Sequence, residues 1–424
     1  MVVGILRAIS SSSKLFQESQ TRITPQTCPV TLESNLVLLV LTKKSNANCE
    51  IFHSGSSFFL TLASFQGTWG KAYKYFPMKP SFLLAIGIFE LGSLISGVAQ
   101  NSVTLIVGRA IAGCGGAGIA AGAYTLVALS APPKKRPAYT GLVGATYGVA
   151  AVVGPLLGGV FTEKVSWRWA FYVNLPIGGL AAGIVLFTLK VPESVQAKDL
   201  EVSLKEKILQ MDLLGMVTIV CAALCFILAL EWGGVTRAWN DGSVIGTLVG
   251  CTVLLALFGI LEWHLGERAF LQGRLIRKRI IFVACVFVIF LSGAFFTLVY
   301  YLPIYFQSVS GVSPLESGTR NLGIIVSISI CTILSGGMIT IFGHFVPWMI
   351  VGAAIATLGA GLIFTLKIGS PSSHWIGYQV LAGIGLGAGF QIPIIVAQAS
   401  VDTSDMSSVS AIILCWFPYR LFFL

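Results

Sequence analysis

Two ionisable side chains, Arg109 and Glu90, lie inside long apolar runs of a 424-residue sequence. A charge deep in a bilayer costs roughly 2.5–3.5 kcal/mol on insertion scales, so it normally faces a cavity and has a partner. Arg109 comes early in its run and reads as such a functional residue; the competing reading is snorkelling to the outer interface. Glu90 sits near the middle of its run and is the only acid placed so deep. A carboxyl held out of water is a candidate proton acceptor, and a hydrogen-bonded structural Glu is the alternative. Other side chains suit a pocket for an amphipathic molecule: Tyr147, the deep aromatics Tyr300 and Tyr301, and Gln391 in the middle of the last run. Tyr305 and Phe306, closer to a span end, read as an interfacial aromatic belt.

No catalytic constellation accompanies them. His53, His264, His344 and His374 are isolated, and the nine cysteines are scattered without a CxxC or a Cys/His cluster. They are expected to be small core or lipid-facing residues rather than metal ligands. The run Gly113–Gly118 fits GxGxxG, but it lies inside an apolar span instead of between a strand and a helix, so helix packing explains it better than a nucleotide. No phosphate loop with Lys and Ser/Thr is present. The expectation is a protein that is not an enzyme and needs no cofactor beyond an ion gradient.

The elements that position these residues are membrane helices. The chain is 55% hydrophobic and 10% charged, with a mean hydropathy of +0.86, whereas a soluble domain carries about 25% charged residues. Apolar runs long enough to span fall at 80–99, 104–130, 138–161, 169–190, 212–231, 244–262, 280–306, 320–343, 345–366 and 375–399, with a shorter one at 58–69. Basic residues divide fifteen to five between alternate sides of these spans. The side with Lys71, Lys74, Lys134, Arg268 and Arg274 should be cytoplasmic. A net charge of +10 therefore reflects loops beside anionic headgroups, not nucleic acid. The segment 200–210 alternates aliphatic and charged residues and suits either an interfacial helix or a solvated loop.

Two patterns organise the spans. Ala112–Gly115 (AGCG) recurs 270 residues later as Ala382–Gly385 (AGIG), which suggests two repeated halves with a site between them. The second pattern is a stripe of small residues and Pro: Gly144, Gly148, Ala151, Pro155 and Gly158 follow at helical spacings of four, three, four and three. In water each interior Gly costs roughly 1 kcal/mol; in lipid the same stripe lets two helices approach closely.

The residues 148–159 (GVAAVVGPLLGG) resemble the antiporter motif of the fifth helix in the major facilitator superfamily. LIVGRAIAGCGGAG is similar to the motif of the preceding helix, whose Arg matches Arg109. SWRWAFYVNLPIG and YYLPIYFQSVSGVSPLESGTRN resemble the fungal fourteen-helix drug/proton antiporters, a group that includes toxin and secondary-metabolite exporters. GKAYKYFPMK stands where the family has its loop between helices two and three and keeps only the Gly and some basic character.

The resemblance implies an all-α polytopic membrane protein: a two-half helix bundle with two extra central helices, here some ten to eleven of fourteen spans. Residues 1–55 would be an atypical polar arm in place of the first helix. Residues 56–190 would form the N-terminal bundle, 191–279 the two central helices with their cytoplasmic loops, and 280–424 a C-terminal bundle that looks truncated. The antiporter motif would comprise Gly144, Gly148, Gly154, Pro155, Gly158 and Gly159, with Arg109 and Glu90 serving proton coupling. The implied function is proton-driven efflux of drugs, toxins or a fungal secondary metabolite from a plasma or vacuolar membrane. An uptake carrier and a non-functional fragment are the alternatives. The partners implied are a small-molecule substrate and the bilayer, with no nucleic acid and no obligate protein partner.

Overall fold

The computed structural model describes residues 48–189, 203–234, 236–312, 314–367 and 369–419. Among them every regular element is a helix, and the only β contact is an isolated bridge from Gly233 to Arg237. The main helices are α1 (Asn48–Tyr75), α2 (Met78–Val98), α3 (Ser102–Ser130), α4 (Arg136–Lys164), α5 (Asn174–Thr188), α6 (Leu213–Trp232), α7 (Gly242–Leu265), α8 (Arg279–Ser310), α9 (Leu322–Phe342), α10 (Val346–Phe364), α11 (Ser372–Phe390), α12 (Ile392–Ala399) and α13 (Met406–Tyr419). A helical turn at Trp169–Tyr172 leads into α5. Nine of the described helical stretches are long and apolar enough to cross a membrane.

Boundaries follow local chemistry. Asn101 caps α3 by accepting from the Thr104 N–H at 2.8 Å, and Asp212 and Asp241 do the same for Gly215 and Ser243 at the starts of α6 and α7, as short polar side chains do at helix entrances. α8 ends at Gly311 and α9 at Gly343, both left-handed, the conformation glycine adopts most cheaply. Two expectations move. The first described helix starts at Asn48, inside the stretch read as a polar arm, so the helix extends beyond its apolar segment. The last apolar run, 375–399, is two helices that meet at Gln391, because Pro393 cannot donate an N–H to the preceding turn. The segment 200–210 contributes only a short helix at Leu204–Leu209, and 200–202 lie outside the described residues.

The recurrence read from the sequence is structural. In the N-terminal half, α3 is held between α1 and α2; in the C-terminal half, α11 is held between α9 and α10. A Cβ on Gly113 would overlap the Phe58 carbonyl and Thr61 hydroxyl of α1, and one on Gly115 would overlap Phe89 of α2. Their counterparts repeat this: Gly383 meets Ile324 and Ser327 of α9, and Gly385 meets Ala356 of α10. Gly92 and Gly359 return the contact, pressing on Ala112 and Ala382 respectively. Each half thus uses alternate glycines of its central helix to admit one neighbour on either side, the close packing that drives association where burial from water cannot. Tyr73 and Trp69 add hydrogen bonds from α1 to the Gly118 and Cys114 carbonyls of α3, at 2.7 and 2.9 Å. The outer faces are apolar and uncovered, as Phe187 at 83% and Ile341 at 75% exposure illustrate; lipid is the solvent they suit.

Candidate functional site

The antiporter-like helix α4 packs chiefly on α9 of the opposite half rather than on its own. The contact occupies its first half. Gly141 lies against Gly336 and the Thr332 carbonyl, Gly148 against Ser329, and the Ala138 N–H donates to the Thr340 hydroxyl at 3.1 Å. At Gly144 the space a side chain would need is filled by the Gln391 amide. Off the stripe, Gly154 has no atom of another element within 4 Å of where its Cβ would be, and Val149, Val153 and Leu157 are exposed. Gly158 is buried, whereas the side chains of Tyr147, Pro155 and Gly159 lie outside the described residues.

A second closure on the same side joins α1 to α13. Gly70 receives Ala411, and the Cys415 thiol donates to the Ala63 carbonyl at 3.5 Å. At its mouth Lys74 pairs with Asp405 at 2.8 Å, and Arg274 reaches the other Asp405 oxygen at 2.8 Å. Burial works against the Asp405 charge, but the hydrogen bonds from Lys74 and Arg274 outweigh it and hold the carboxyl below the ordinary aspartate range. Both closures lie toward the side that carries the basic loops. The two halves therefore meet there.

The predicted residues are distributed around this arrangement. Arg109 lies on α3 with its guanidinium 4.4 Å from the Phe58 ring centre and 6.0 Å from that of Phe171, contacts that favour a cation away from water. Glu90, on α2, turns to the other neighbour: its carboxyl sits directly over Gly178 of α5, and its Oε2 is buried without a hydrogen-bond partner. The WRW–NLPIG stretch builds that wall, with Arg168 donating to the Ala99 carbonyl at 2.9 Å and Asn174 to the Ser93 hydroxyl at 3.3 Å. Arg109 and Glu90 thus occupy adjacent helices but face different partners. Tyr301 is exposed and its ring packs edge-on against Tyr300, with centroids 5.1 Å apart.

Gln391 is placed differently from the open pocket the sequence suggested. It is 2% exposed, at the break between α11 and α12, between Gly144 and Tyr124 of the opposite half, with its amide facing the Tyr124 side chain. Gln398 continues the tie by donating to the Ser410 hydroxyl at 2.8 Å and the Tyr124 carbonyl at 3.4 Å. Tyr124, Ser329, Lys74 and Asp405 are the residues that sequence reasoning missed. Only Asp405 carried a local signal, as an acid just before an apolar helix.

The family model for the Major Facilitator Superfamily matches residues 51–417. The chain belongs to the Major Facilitator Superfamily. It is a multi-pass membrane protein and a transporter type rather than an enzyme. It is 52% identical over 359 residues to the MFS-type transporter grgE of a Penicillium species, covering 85% of this chain and 63% of that protein. It is 42% identical over 371 residues to the aspyridones efflux protein of Neocamarosporium betae, covering 88% of this chain and 66% of that one. It thus spans less than two thirds of the length of these relatives. Among solved structures the E. coli fucose:proton symporter FucP superposes with a TM-score of 0.60 at 13% identity, covering 91% of this chain and 84% of that one, a likeness of fold alone.

Proposed function

We propose that the chain is the body of an exporter for small amphipathic organic compounds, of the secondary-metabolite class, in exchange for protons across the plasma membrane. The observation that carries the reading is the basic-side seam between the halves. One helix, α4, docks onto the opposite half over Gly141–Gly148, where its glycines admit the Thr332 carbonyl, the Gln391 amide and Ser329. Such a surface suits alternating access, because closing one side requires glycine-to-glycine approach and opening the other requires only that the halves rock apart. The efflux activity named for the Neocamarosporium relative supports the direction. Arg109 and Glu90 supply the charges that a proton-coupled cycle needs inside lipid.

The test is efflux of a preloaded amphipathic metabolite from cells expressing the chain, with and without a protonophore. Proton-coupled export predicts lower retention than in control cells, abolished by the protonophore. Retention equal to the control, or export indifferent to the protonophore, would overturn export or coupling respectively. Counterflow in the inward direction would favour uptake by the same fold.

A further inference from the structure

The connection between the central pair α6/α7 and the C-terminal half lies at the mouth of the α1–α13 closure and touches both halves. On the N-terminal side, Lys71 of α1 is 2% exposed, and its ammonium donates to the Arg268 carbonyl at 2.6 Å. The Phe270 ring fills the space over Gly67 of the same helix. On the C-terminal side, Arg274 donates to Asp405 at 2.8 Å, and Lys278 donates to the Ser400 carbonyl at 3.3 Å. The connection itself is braced. The Phe270 N–H donates to Asp212 at 2.6 Å and to Glu262 at 3.1 Å, and the Leu271 N–H donates to Glu262 at 2.7 Å. Arg268 forks onto both oxygens of Glu206, at 2.9 and 2.7 Å.

We infer that residues 266–276 form a latch that holds the basic-side closure shut, with Arg274 and Lys71 as its positioning residues. The physical argument is one of sharing. Asp405 has two oxygens and two cations: Lys74 comes from the N-terminal half and Arg274 from the connection. When the halves part, Lys74 must leave Asp405, and the connection must release either Lys71 or Asp405, since it is tied to both. Each lost contact leaves a buried charge or carbonyl to be rehydrated, a cost that biases the closed state. The central pair therefore does more than occupy lipid between the halves. Through its following loop it adds a third body to a two-body closure. The inference rests on the alternating-access reading proposed above.

The experiment reads accessibility instead of transport, so a chain that exports nothing still tests it. Ser408 is buried at 4% exposure opposite Gly70. A Ser408→Cys reporter in membrane vesicles is labelled from the basic side with a membrane-impermeant maleimide, with each cysteine-containing peptide quantified. Arg274→Ala should raise the labelling rate about three- to fivefold, the shift a half-exposed ion pair supports, and Arg274→Lys should restore most of the protection. Lys71→Met should act in the same direction, whereas Arg277→Ala, an exposed neighbour, should not. Cys251, buried in α7, reports loss of fold and should stay unlabelled. Unchanged Ser408→Cys labelling in both Arg274→Ala and Lys71→Met, an equal rise in Arg277→Ala, or a rise shared by Cys251 would each overturn the latch.

Discussion

The central helices of the two halves, α3 and α11, are built alike and charged differently. Gly113 and Gly115 admit α1 and α2, as Gly383 and Gly385 admit α9 and α10. One turn before each glycine pair the likeness ends. Arg109 stands in the first half and Gln379 at the equivalent place in the second, 270 residues on. Arg109 rests on aromatic rings, whereas Gln379 is fully buried with neither amide atom hydrogen-bonded. The same backbone hub thus carries a cation in one half and a neutral amide in the other. Packing explains what the halves share, and the difference must be sought in what the first half handles. In a carrier driven by protons, a fixed cation beside the path sets when a nearby carboxyl is charged. A second cation at the equivalent place would act on both halves and would have to be buried.

The largest expected effect breaks the shared part. Gly113→Leu and Gly383→Leu each put a branched side chain where a backbone carbonyl already lies. Overpacking costs typically 1–3 kcal/mol, occasionally more, and here the Phe58 or Ile324 backbone carbonyl cannot turn aside as a side-chain hydroxyl could. Both variants should lose monodisperse, detergent-extractable protein to a similar extent. Tolerance of one but not the other would show that the hubs are not equivalent.

The next tests the charge. Arg109→Gln gives the first hub the second hub's side chain. Export should fall at least about tenfold, the effect of removing an interaction of roughly 1.4 kcal/mol from the cycle, while surface abundance stays near that of the parent. Normal export at normal abundance would reduce Arg109 to a packing residue.

How much of this was legible follows from what a sequence can encode locally. The span from Ser102 to Ser130 and its neighbours were visible because hydrophobicity and helical length are properties of contiguous residues. The hubs were visible as a recurrence because the same packing problem, solved twice, left the same letters at Gly113 and Gly383. The stripe at Gly144 and Gly148 was readable as a close-approach surface, but not its partner. That α9 supplies Ser329 and Thr332 depends on how two halves nearly 200 residues apart dock, which no local pattern states. Asp405 was passed over for the same reason, since its cations come from α1 and from the loop after α7. Gln391 was read as a pocket residue because a mid-span amide suits one. The break at Pro393 turns it into the opposite half instead, where it closes a surface.

That break supplies a third prediction, of intermediate size. The residue equivalent to Gln391 in the first hub is Ala121, so the amide is an addition made only in the second half. Gln391→Leu keeps the volume near Gly144 but removes the polar group facing Tyr124, leaving a buried hydroxyl at a cost of about 1–3 kcal/mol. That cost falls on the closed basic side, because only there do the halves meet at this point. Export should drop a fewfold, and Ser408→Cys should become easier to label from the basic side. If Gln391→Leu leaves both readouts unchanged, the tie between the halves lies elsewhere.

The smallest effect is expected at Gln379, and its smallness is what sharpens the comparison. Both amide atoms of Gln379 are buried without a hydrogen-bond partner, in a helix held between α9 and α10. Replacing an unsatisfied buried amide with an apolar group of similar shape removes a desolvation cost rather than a bond, so the exchange is close to neutral or stabilising. Gln379→Leu should therefore melt at or slightly above the parent temperature and export at the parent rate. The contrast with Arg109→Gln is then the measure of asymmetry: the same place in the same hub, with at least about a tenfold loss of export on one side and none on the other. Equal losses at both positions would mean that the transport path draws on the two halves alike, and that the charge difference between α3 and α11 decides nothing about coupling.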